Sequence, residues 1–485
     1  MADFLNAIKD EQNFTYTENG AGSYKSTMSG ILDLFGLGGA YRSRSNEDCI
    51  RLFKKAWAED PTLALKCLFY LRDVRGGQGE RRFFRVVLHD LAITHPEVVC
   101  RNLDNISEYG RYDDLYCLMD TPLEKDVFEF IKNQLKLDMV SKTPSLLAKW
   151  CKSENASSKE TKRLGTKTRM ALGISAREYR KMLSKLRAKI NIVERLMSAN
   201  RWEDIEFDKI PSRAGFVYRN AFAHRDIIKA KYESFMKSDD TKVNAKTLYP
   251  YEIIHQIFDN YRASALDIAV YDKYWENLSA YIAEMKLNAL AVVDTSGSMY
   301  NMNRTPIEVA VSLGMLCAEK NVGPYHNHFL TFSASPRLQE IKGDNIYDKV
   351  RNLEQADWGF NTNIEACFNL MLDVAKKNHL TQNEIPHNLI IISDMEFDRC
   401  ITDSHRKETL FETLEKRWAT AGYELPGLIF WNVNARHNLI PMKTEGRVTY
   451  VSGFSPSLFE SIVKGKSGWD LVLDKLLSKR YEAVK

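Results

Sequence analysis

The sequence has no long apolar segment and no paired cysteines. No window approaches the ~18 uninterrupted apolar residues of a membrane-spanning helix, and the N-terminus has neither a basic start nor an apolar segment after it. The eight cysteines are scattered without a CxxC pair, which argues against structural zinc and a disulfide framework and favours reduced thiols. We therefore expect a soluble cytoplasmic protein that has no contact with membranes.

The chain also has little net charge and lacks the common catalytic motifs. Its formal charge is +4 over 485 residues, so any affinity for nucleic acid must come from a local patch. Gly-x-Ser-x-Gly, HExxH and the P-loop GxxxxGK[ST] are absent. The glycine-rich segment 76–79 predicts a turn between helices that needs positive φ, and its alternative is phosphate binding by exposed amides. We therefore expect a binding protein and not an enzyme.

What is present is the composition of a folded chain of two or three domains, with 44% hydrophobic and 27% charged residues. In residues 286–485, apolar strand-like runs alternate with helical patterns, which predicts a doubly wound α/β domain. Residues 1–285 carry successive helical patterns with short connectors, which is typical of HEAT-like α-helical repeats. The fold class is therefore α + α/β. The helical patterns include 46–58, 61–73, 80–92, 96–108 and 123–135 in the first part, and 305–320, 364–377, 407–421 and 457–464 in the second.

An apolar run at residues 287–293 ends in an Asp-x-Ser-x-Ser motif formed by Asp294, Ser296 and Ser298. Buried parallel strands are such runs, and α/β folds place ligand-binding loops at their carboxyl ends. One carboxylate and two hydroxyls offer hard oxygen ligands, which suit Mg²⁺ best and Mn²⁺ or Ca²⁺ as well. The alternative is an Asp N-cap followed by turn serines.

Two later segments continue this pattern. A glycine-containing loop at 358–363 carries Thr362 and leads into a helical stretch, and a second apolar run from residue 388 ends at Asp394. This order resembles the metal-ion-dependent adhesion site (MIDAS) of von Willebrand factor A (vWA) domains. Asn361 stands where that family has a glycine before the threonine. The resemblance implies a divalent-cation site formed by Asp294, Ser296, Ser298 and Thr362, with Asp394 close by or acting through water.

Residues 159–195 are strongly basic, with twelve Lys and Arg against three Glu. Arg177, Arg180, Lys181 and Lys185 lie close to one face of a predicted helix. A face of this density can neutralise several phosphates, and each such contact makes affinity fall with salt. A solvated helix surface is the alternative.

Segments at 70–81, 109–115 and 211–214 are similar to a family of uncharacterised proteins that join a helical-repeat module to a vWA domain. The layout resembles the Ro autoantigen (TROVE) proteins. This resemblance implies an RNA-binding protein whose HEAT-like repeats close into a ring through the vWA domain, and we expect the protein to be a monomer. It also implies contacts with small structured RNAs or single-stranded RNA ends. The candidate RNA contacts are Arg72, Arg75, Arg81, Lys167, Arg169, Arg177, Arg180, Lys181, Lys185 and Arg187.

Two other functions stay open beside a Ro-like ribonucleoprotein. A cation held by few protein ligands keeps a replaceable position, which a carboxylate from a protein partner can fill. The chain would then be an interaction scaffold. Asp394 and Glu396 also allow the hypothesis of a metal-dependent phosphodiesterase, although no neighbouring base or in-line positioning group is evident in the sequence. Binding is therefore favoured over turnover.

Overall fold

The computed structural model describes most of the chain, namely residues 2–190, 192–279, 288–321, 323–332, 336–354, 363–399, 409–443, 447–463, 466 and 468–485. The chain divides into two compact units. One unit, here called the α/β unit, comprises Met1–Cys67 and Ala245–Ser478. The other, here called the helical unit, comprises Leu68–Asn244 and Lys479–Lys485. Both units are therefore assembled from segments that are far apart in sequence.

Strands occur only in the α/β unit within the described residues. Two of them form an antiparallel hairpin near the N-terminus and six form one sheet. They are β1 (Phe14–Tyr16), β2 (Gly22–Tyr24), β3 (Ala289–Asp294), β4 (His328–Phe332), β5 (Arg337–Glu340), β6 (Asn388–Ser393), β7 (Gly427–Asn432) and β8 (Val448–Ser452).

Helices make up most of the remaining structure. The first group runs as α1 (Ala2–Asn13), α2 (Gly30–Leu37), α3 (Asn46–Glu59), α4 (Pro61–Arg72), α5 (Arg82–Thr94), α6 (Pro96–Arg101), α7 (Leu103–Tyr109), α8 (Glu124–Val140), α9 (Leu147–Trp150), α10 (Lys159–Leu172), α11 (Ala176–Lys189) and α12 (Val193–Ser198). The second group runs as α13 (Ser212–Val217), α14 (Arg219–Ala223), α15 (Asp226–Lys237), α16 (Pro250–Asp259), α17 (Ala265–Ser279), α18 (Thr305–Lys320), α19 (Ile346–Glu354), α20 (Ile364–Lys377), α21 (Leu410–Thr420), α22 (Phe459–Val463) and α23 (Gly468–Leu476). None of the described helices combines the length and apolar character needed to span a bilayer.

The six-stranded sheet has the order β5-β4-β3-β6-β7-β8. All neighbouring pairs are parallel except β4 and β5. The first strand of this sheet in sequence, β3, lies in its middle. β4 and β5 extend the sheet on one side of β3, and β6, β7 and β8 extend it on the other side. The order therefore reverses between β3 and β6, and loops at this switch point are where open α/β sheets bind ligands. The predicted mixed α/β fold with a mainly parallel sheet is confirmed.

The central strands are continuous apolar runs because helices cover both faces of the sheet. Every residue of β3 and β7 is buried. On one face, Val292, Ile391 and Phe430 share a core with α20 and α21. On the other face, α18 approaches so closely that a Cβ on Gly314 would lie 2.5 Å from Cγ2 of Val293.

The N-terminal segment belongs to the α/β unit through close backbone contacts. A Cβ on Gly36 would lie 2.8 Å from Cβ of Tyr450 on β8, and one on Gly39 would lie 2.8 Å from the carbonyl oxygen of Ser452. Tyr24 on β2 exchanges backbone hydrogen bonds of 2.9 Å with Ile440 in both directions. Residues 1–67 thus pack with strands near the C-terminus. The boundaries of the compact units therefore fall after residues 67, 244 and 478, and the predicted division lay between residues 285 and 286.

In the helical unit the predicted helices form with one change. The pattern at 96–108 is interrupted at Asn102, whose side chain donates 2.9 Å to the carbonyl of Val98, so that α6 and α7 are separate helices. The glycine-rich segment forms the expected turn. Gly79 has φ +61°, and a Cβ on Gly77 would lie 1.9 Å from the carbonyl oxygen of Tyr70. Only glycine permits that approach.

Candidate functional site

Two buried carboxylates meet at the switch point of the sheet. Asp294 is the last residue of β3, and Asp394 follows the last residue of β6. The two strands are adjacent and parallel, with Val293 opposite Ile392. Because neighbouring parallel strands end at the same edge, both acids lie on one loop cluster, with 0% and 1% of their surfaces exposed.

Hydroxyl groups surround these acids. One carboxylate oxygen of Asp294 accepts from the amide of Ser296 at 2.9 Å, and the other accepts from the hydroxyl of Ser393 at 2.5 Å. The hydroxyls of Ser296 and Ser298 are 3.1 Å apart, and the side chain of Ser298 is hydrogen-bonded to Asp394. The Asp-x-Ser-x-Ser motif therefore makes an Asx-type turn, and it also gathers side-chain oxygens in one place.

Burial and mutual repulsion oppose ionisation of the acids. Burial raises the pKa of Asp294, and the nearby charge of Asp394 raises it further. Burial also raises the pKa of Asp394, whereas the Arg436 guanidinium, 3.3 Å from its Oδ2, lowers it. A divalent cation beside both carboxylates would favour their charged forms.

The oxygen set suits a hard divalent cation. At Mg–O distances of about 2.0–2.1 Å, neighbouring ligands of an octahedral ion are about 2.9 Å apart, close to the 3.1 Å between the two serine hydroxyls. Asp294, Ser296, Ser298 and Asp394 are therefore brought together in a way that fits Mg²⁺. Thr362, the remaining predicted ligand, lies outside the described residues.

The N-terminal hairpin adds residues that the sequence pattern did not indicate. Arg436 pairs with both Asp394 and Glu18, which follows β1. Buried Glu396 accepts from the amide of Glu18 at 2.9 Å and lies 2.7 Å from Nδ1 of His437. Glu18, Glu396 and His437 place ligand atoms within 4.8 Å of one another. Because 378 positions separate Glu18 from Glu396, no local pattern reveals these contacts.

A cavity of about 370 Å³ has His437 in its lining. Basic side chains line much of it. Its lining comprises Thr15, Tyr16, Lys25, Arg44, Lys55, His437, Asn438 and Leu439.

In the helical unit, α11 presents the expected basic face. Ser175 caps the helix, with its hydroxyl accepting from the amide of Glu178 and the Glu178 carboxylate accepting in return. Tyr179, Leu183 and Leu186 bury the opposite side. The exposed face consists of Arg177, Arg180, Lys181 and Lys185.

The charges of this face are not neutralised by nearby acids. Arg177, Lys181 and Lys185 make no hydrogen bond or ion pair with any described residue, and Arg180 donates only to the carbonyl of Ala176 in its own helix. Their positive charge is thus available to solvent and to ligands.

The other predicted RNA contacts are differently placed. Lys167 pairs with Asp120 and Glu124, and Arg169 pairs with Glu154. Arg187 donates to the carbonyls of Ala148 and Cys151, which ties α11 to the preceding segment. These three side chains therefore make contacts within the helical unit.

Three predicted contacts lie around the glycine turn. Arg72 is only 2% exposed and pairs with buried Asp114, so it is not presented to RNA. Arg75 is exposed beside Glu108, and Arg81 is exposed at the start of α5.

The fold and site define a chain with a doubly wound α/β unit, an acid–hydroxyl cluster at its switch point and a separate helical unit. The matching family models divide the chain near residue 288 and not along the two compact units. One domain of unknown function, DUF2828, matches residues 17–171 and 147–289, and a second, DUF7788, matches residues 288–472. The chain belongs to the DUF2828 family.

One relative and one solved structure match nearly the whole chain. An uncharacterized protein of Acanthamoeba polyphaga mimivirus is 31% identical over 502 residues, covering 94% of this chain and 85% of its own length. The crystal structure of the Deinococcus radiodurans RO (RSR) protein covers 93% of this chain and 99% of its own, at 12% identity and a TM-score of 0.39. A score of that size does not establish a shared fold.

Proposed function

We propose that this chain is an RNA-binding protein that contacts the phosphate backbone through the exposed face of α11. The observation that carries the proposal is the absence of any described acidic partner for Arg177, Lys181 and Lys185. Free cations on one helix face bind phosphates by releasing counterions. The order of a helical module followed by a vWA-like domain, which resembles the layout of the Ro proteins, supports RNA as the nucleic acid.

The test compares wild type with a variant in which Arg177, Arg180, Lys181 and Lys185 are all replaced by glutamate. Purified protein is titrated into a mixed-sequence single-stranded oligoribonucleotide at several salt concentrations. We expect affinity to fall at least tenfold. We also expect the slope of log K against log salt to become shallower by about 3, since each phosphate contact contributes about 0.7 for single strands.

A matched variant controls for net charge. Lys132, Lys136, Lys229 and Lys237 lie on α8 and α15 of the same unit, and replacing them by glutamate removes the same charge elsewhere. This control should bind RNA more tightly than the α11 variant. Equal affinity of the two variants, or no RNA affinity in wild type, would overturn the proposal. If the proposal holds, sequencing of RNA crosslinked to the protein in its own cells would identify the bound RNA.

We further propose that the α/β unit binds Mg²⁺, or Mn²⁺ or Ca²⁺, through Asp294, Ser296, Ser298 and Asp394. The buried acid pair carries this second proposal, because its repulsion is relieved by a divalent cation. Such an ion supplies a replaceable coordination position. Through it the unit captures an acidic side chain of a protein partner, and we propose binding there in preference to catalysis.

Thermal unfolding with and without Mg²⁺ tests the cation site. Wild type should be stabilised by about 2.7 kcal/mol at a concentration of 100 times Kd. Asp294→Asn removes one charge of the repelling pair, so the variant should remain at least as stable as wild type without Mg²⁺ and gain nothing from it. Glu415→Gln, an exposed change on α21, should respond like wild type. An equal Mg²⁺ response in Asp294→Asn would contradict the site, and Mg²⁺-dependent cleavage of the RNA would identify a hydrolase instead.

A further inference from the structure

Basic side chains that do not belong to α11 gather around two carboxylates in the helical unit. The group lies where the segment after the glycine turn meets the segments around residues 113 and 150. Two of its members, Arg72 and Arg85, come from α4 and α5. We call this group the Asp113 cluster; it consists of Arg72, Arg81, Arg85, Arg111 and Lys152 with Asp113 and Asp114.

Three of the cations already share the two carboxylates. Buried Asp114 accepts from Arg72 at 2.7 Å and from Arg85 at 2.6 Å. Asp113 accepts from Arg85 at 2.8 Å and from Arg111 at 2.9 Å. The negative charges of the cluster are therefore used by arginines that hold the segments together.

Two cations are left over. The side chains of Arg81 and Lys152 form no hydrogen bond or ion pair with a carboxylate of the described residues. Partial burial lowers the pKa of Arg81, and the charges of Arg111 and Arg85 lower it further while that of Asp113 opposes them. Burial likewise lowers the pKa of Lys152, with Asp113 opposing and Arg85 and Arg111 adding to the effect. Five positive charges thus face two negative ones.

Aromatic rings hold part of the cluster in position. The Arg111 guanidinium lies 4.2 Å from the centre of the Trp150 ring, and Nζ of Lys152 lies 5.2 Å from that of Tyr116. Side chains held in this way lose little freedom when they bind a ligand. Arg85 and Arg111 are 29% and 30% exposed, so an anion from solvent can reach the cluster.

We propose that the Asp113 cluster binds a phosphate group, with Arg81, Arg111 and Lys152 as its ligands. Arginine forks match two oxygens of a phosphate, and a lysine ammonium adds a point charge. A third negative group compensates the excess charge that the two carboxylates leave. The phosphate belongs either to a small free anion or to the backbone of a nucleic acid. The site uses none of the α11 residues and does not rest on RNA binding by that helix.

The experiment is calorimetric titration of the full chain with inorganic phosphate at constant ionic strength. Arg81→Gln and Lys152→Gln each remove a cation without breaking an ion pair, so the carboxylate contacts stay intact. We expect each variant to bind phosphate at least about tenfold more weakly, as loss of one charge-assisted hydrogen bond implies. Lys136→Gln, an exposed change on α8, should bind like wild type.

A second arm identifies the source of the phosphate. The same variants are titrated with a single-stranded oligoribonucleotide that has no terminal phosphate. Weakening in the inorganic phosphate arm alone indicates a small anion, and weakening in the oligonucleotide arm indicates a backbone phosphate. The proposal is overturned if wild type binds neither probe, or if Arg81→Gln and Lys152→Gln bind both as wild type does. Loss of RNA affinity in the α11 variant with phosphate binding intact would separate this site from the RNA surface.

Discussion

The same residue type has different roles around the glycine turn, depending on burial. Arg72 and Arg75 are three positions apart, yet Arg72 lies against Asp114 in the interior, whereas Arg75 is 53% exposed. Sequence alone marks both as basic and cannot tell them apart, because the distinction depends on an acid 42 positions away. The acids and hydroxyls near Asp294 were easier to predict, since strand ends bring them together by a general rule of α/β sheets.

Replacing Arg72 by alanine should destabilise the protein. The change leaves Asp114 buried with one of its guanidinium partners missing, and breaking a buried pair in this way costs about 3–5 kcal/mol. Arg75→Ala removes a surface contact and should cost at most about 1 kcal/mol. Urea unfolding of both variants measures the difference. If the two free energies of unfolding match, the buried role assigned to Arg72 does not hold.

Among the elements, long periodic helices were predictable and short polar strands were not. The predicted ranges 305–320 and 364–377 coincide with α18 and α20. β5 went unpredicted because its four residues are mostly exposed and polar, and it forms only by pairing with β4. β1 and β2 are only three residues long each and form by pairing with each other. Such edge strands take their structure from a neighbour and carry little pattern of their own.

The packing of α2 on β8 depends on a residue without a side chain. In Gly36→Ala, the new Cβ would lie 2.8 Å from Cβ of Tyr450, so the helix must move away from the strand. Overpacking of this kind costs about 1–3 kcal/mol. Thermal unfolding should show the loss, whereas Glu47→Ala on the exposed face of α3 should change stability by less than about 0.5 kcal/mol. Equal melting temperatures for the two variants would argue against close α2–β8 packing.

For the whole molecule, the sequence indicated that a helical region precedes an α/β region. It did not indicate that residues 1–67 pack with the α/β unit. Residues 286–485 contain all six strands of the sheet. They lack α2 and the β1–β2 hairpin, whose contacts with β8 and the segment around Ile440 span more than 400 positions. Composition and periodicity carry no information about such distant pairing.

A fragment of residues 286–485 should therefore fail to fold as an independent domain. Without α2, apolar surface on β8 that includes Tyr450 would be open to solvent. Far-UV circular dichroism and urea unfolding should show no cooperative transition, whereas residues 1–67 joined by a flexible linker to 245–478 should unfold cooperatively. A cooperative transition in the shorter fragment would show that the N-terminal segment is dispensable for the sheet.

This arrangement imposes a delay during synthesis. The segment around Gly36 leaves the ribosome long before β8, which comes more than 400 residues later. At typical rates of about 5–20 residues per second, the interval is on the order of 20–80 s. During that time Ile31, Leu34 and Phe35, which are buried in the folded protein, have no strand to cover them. The nascent chain is consequently an expected client of chaperones that shield apolar segments until the last strand is made.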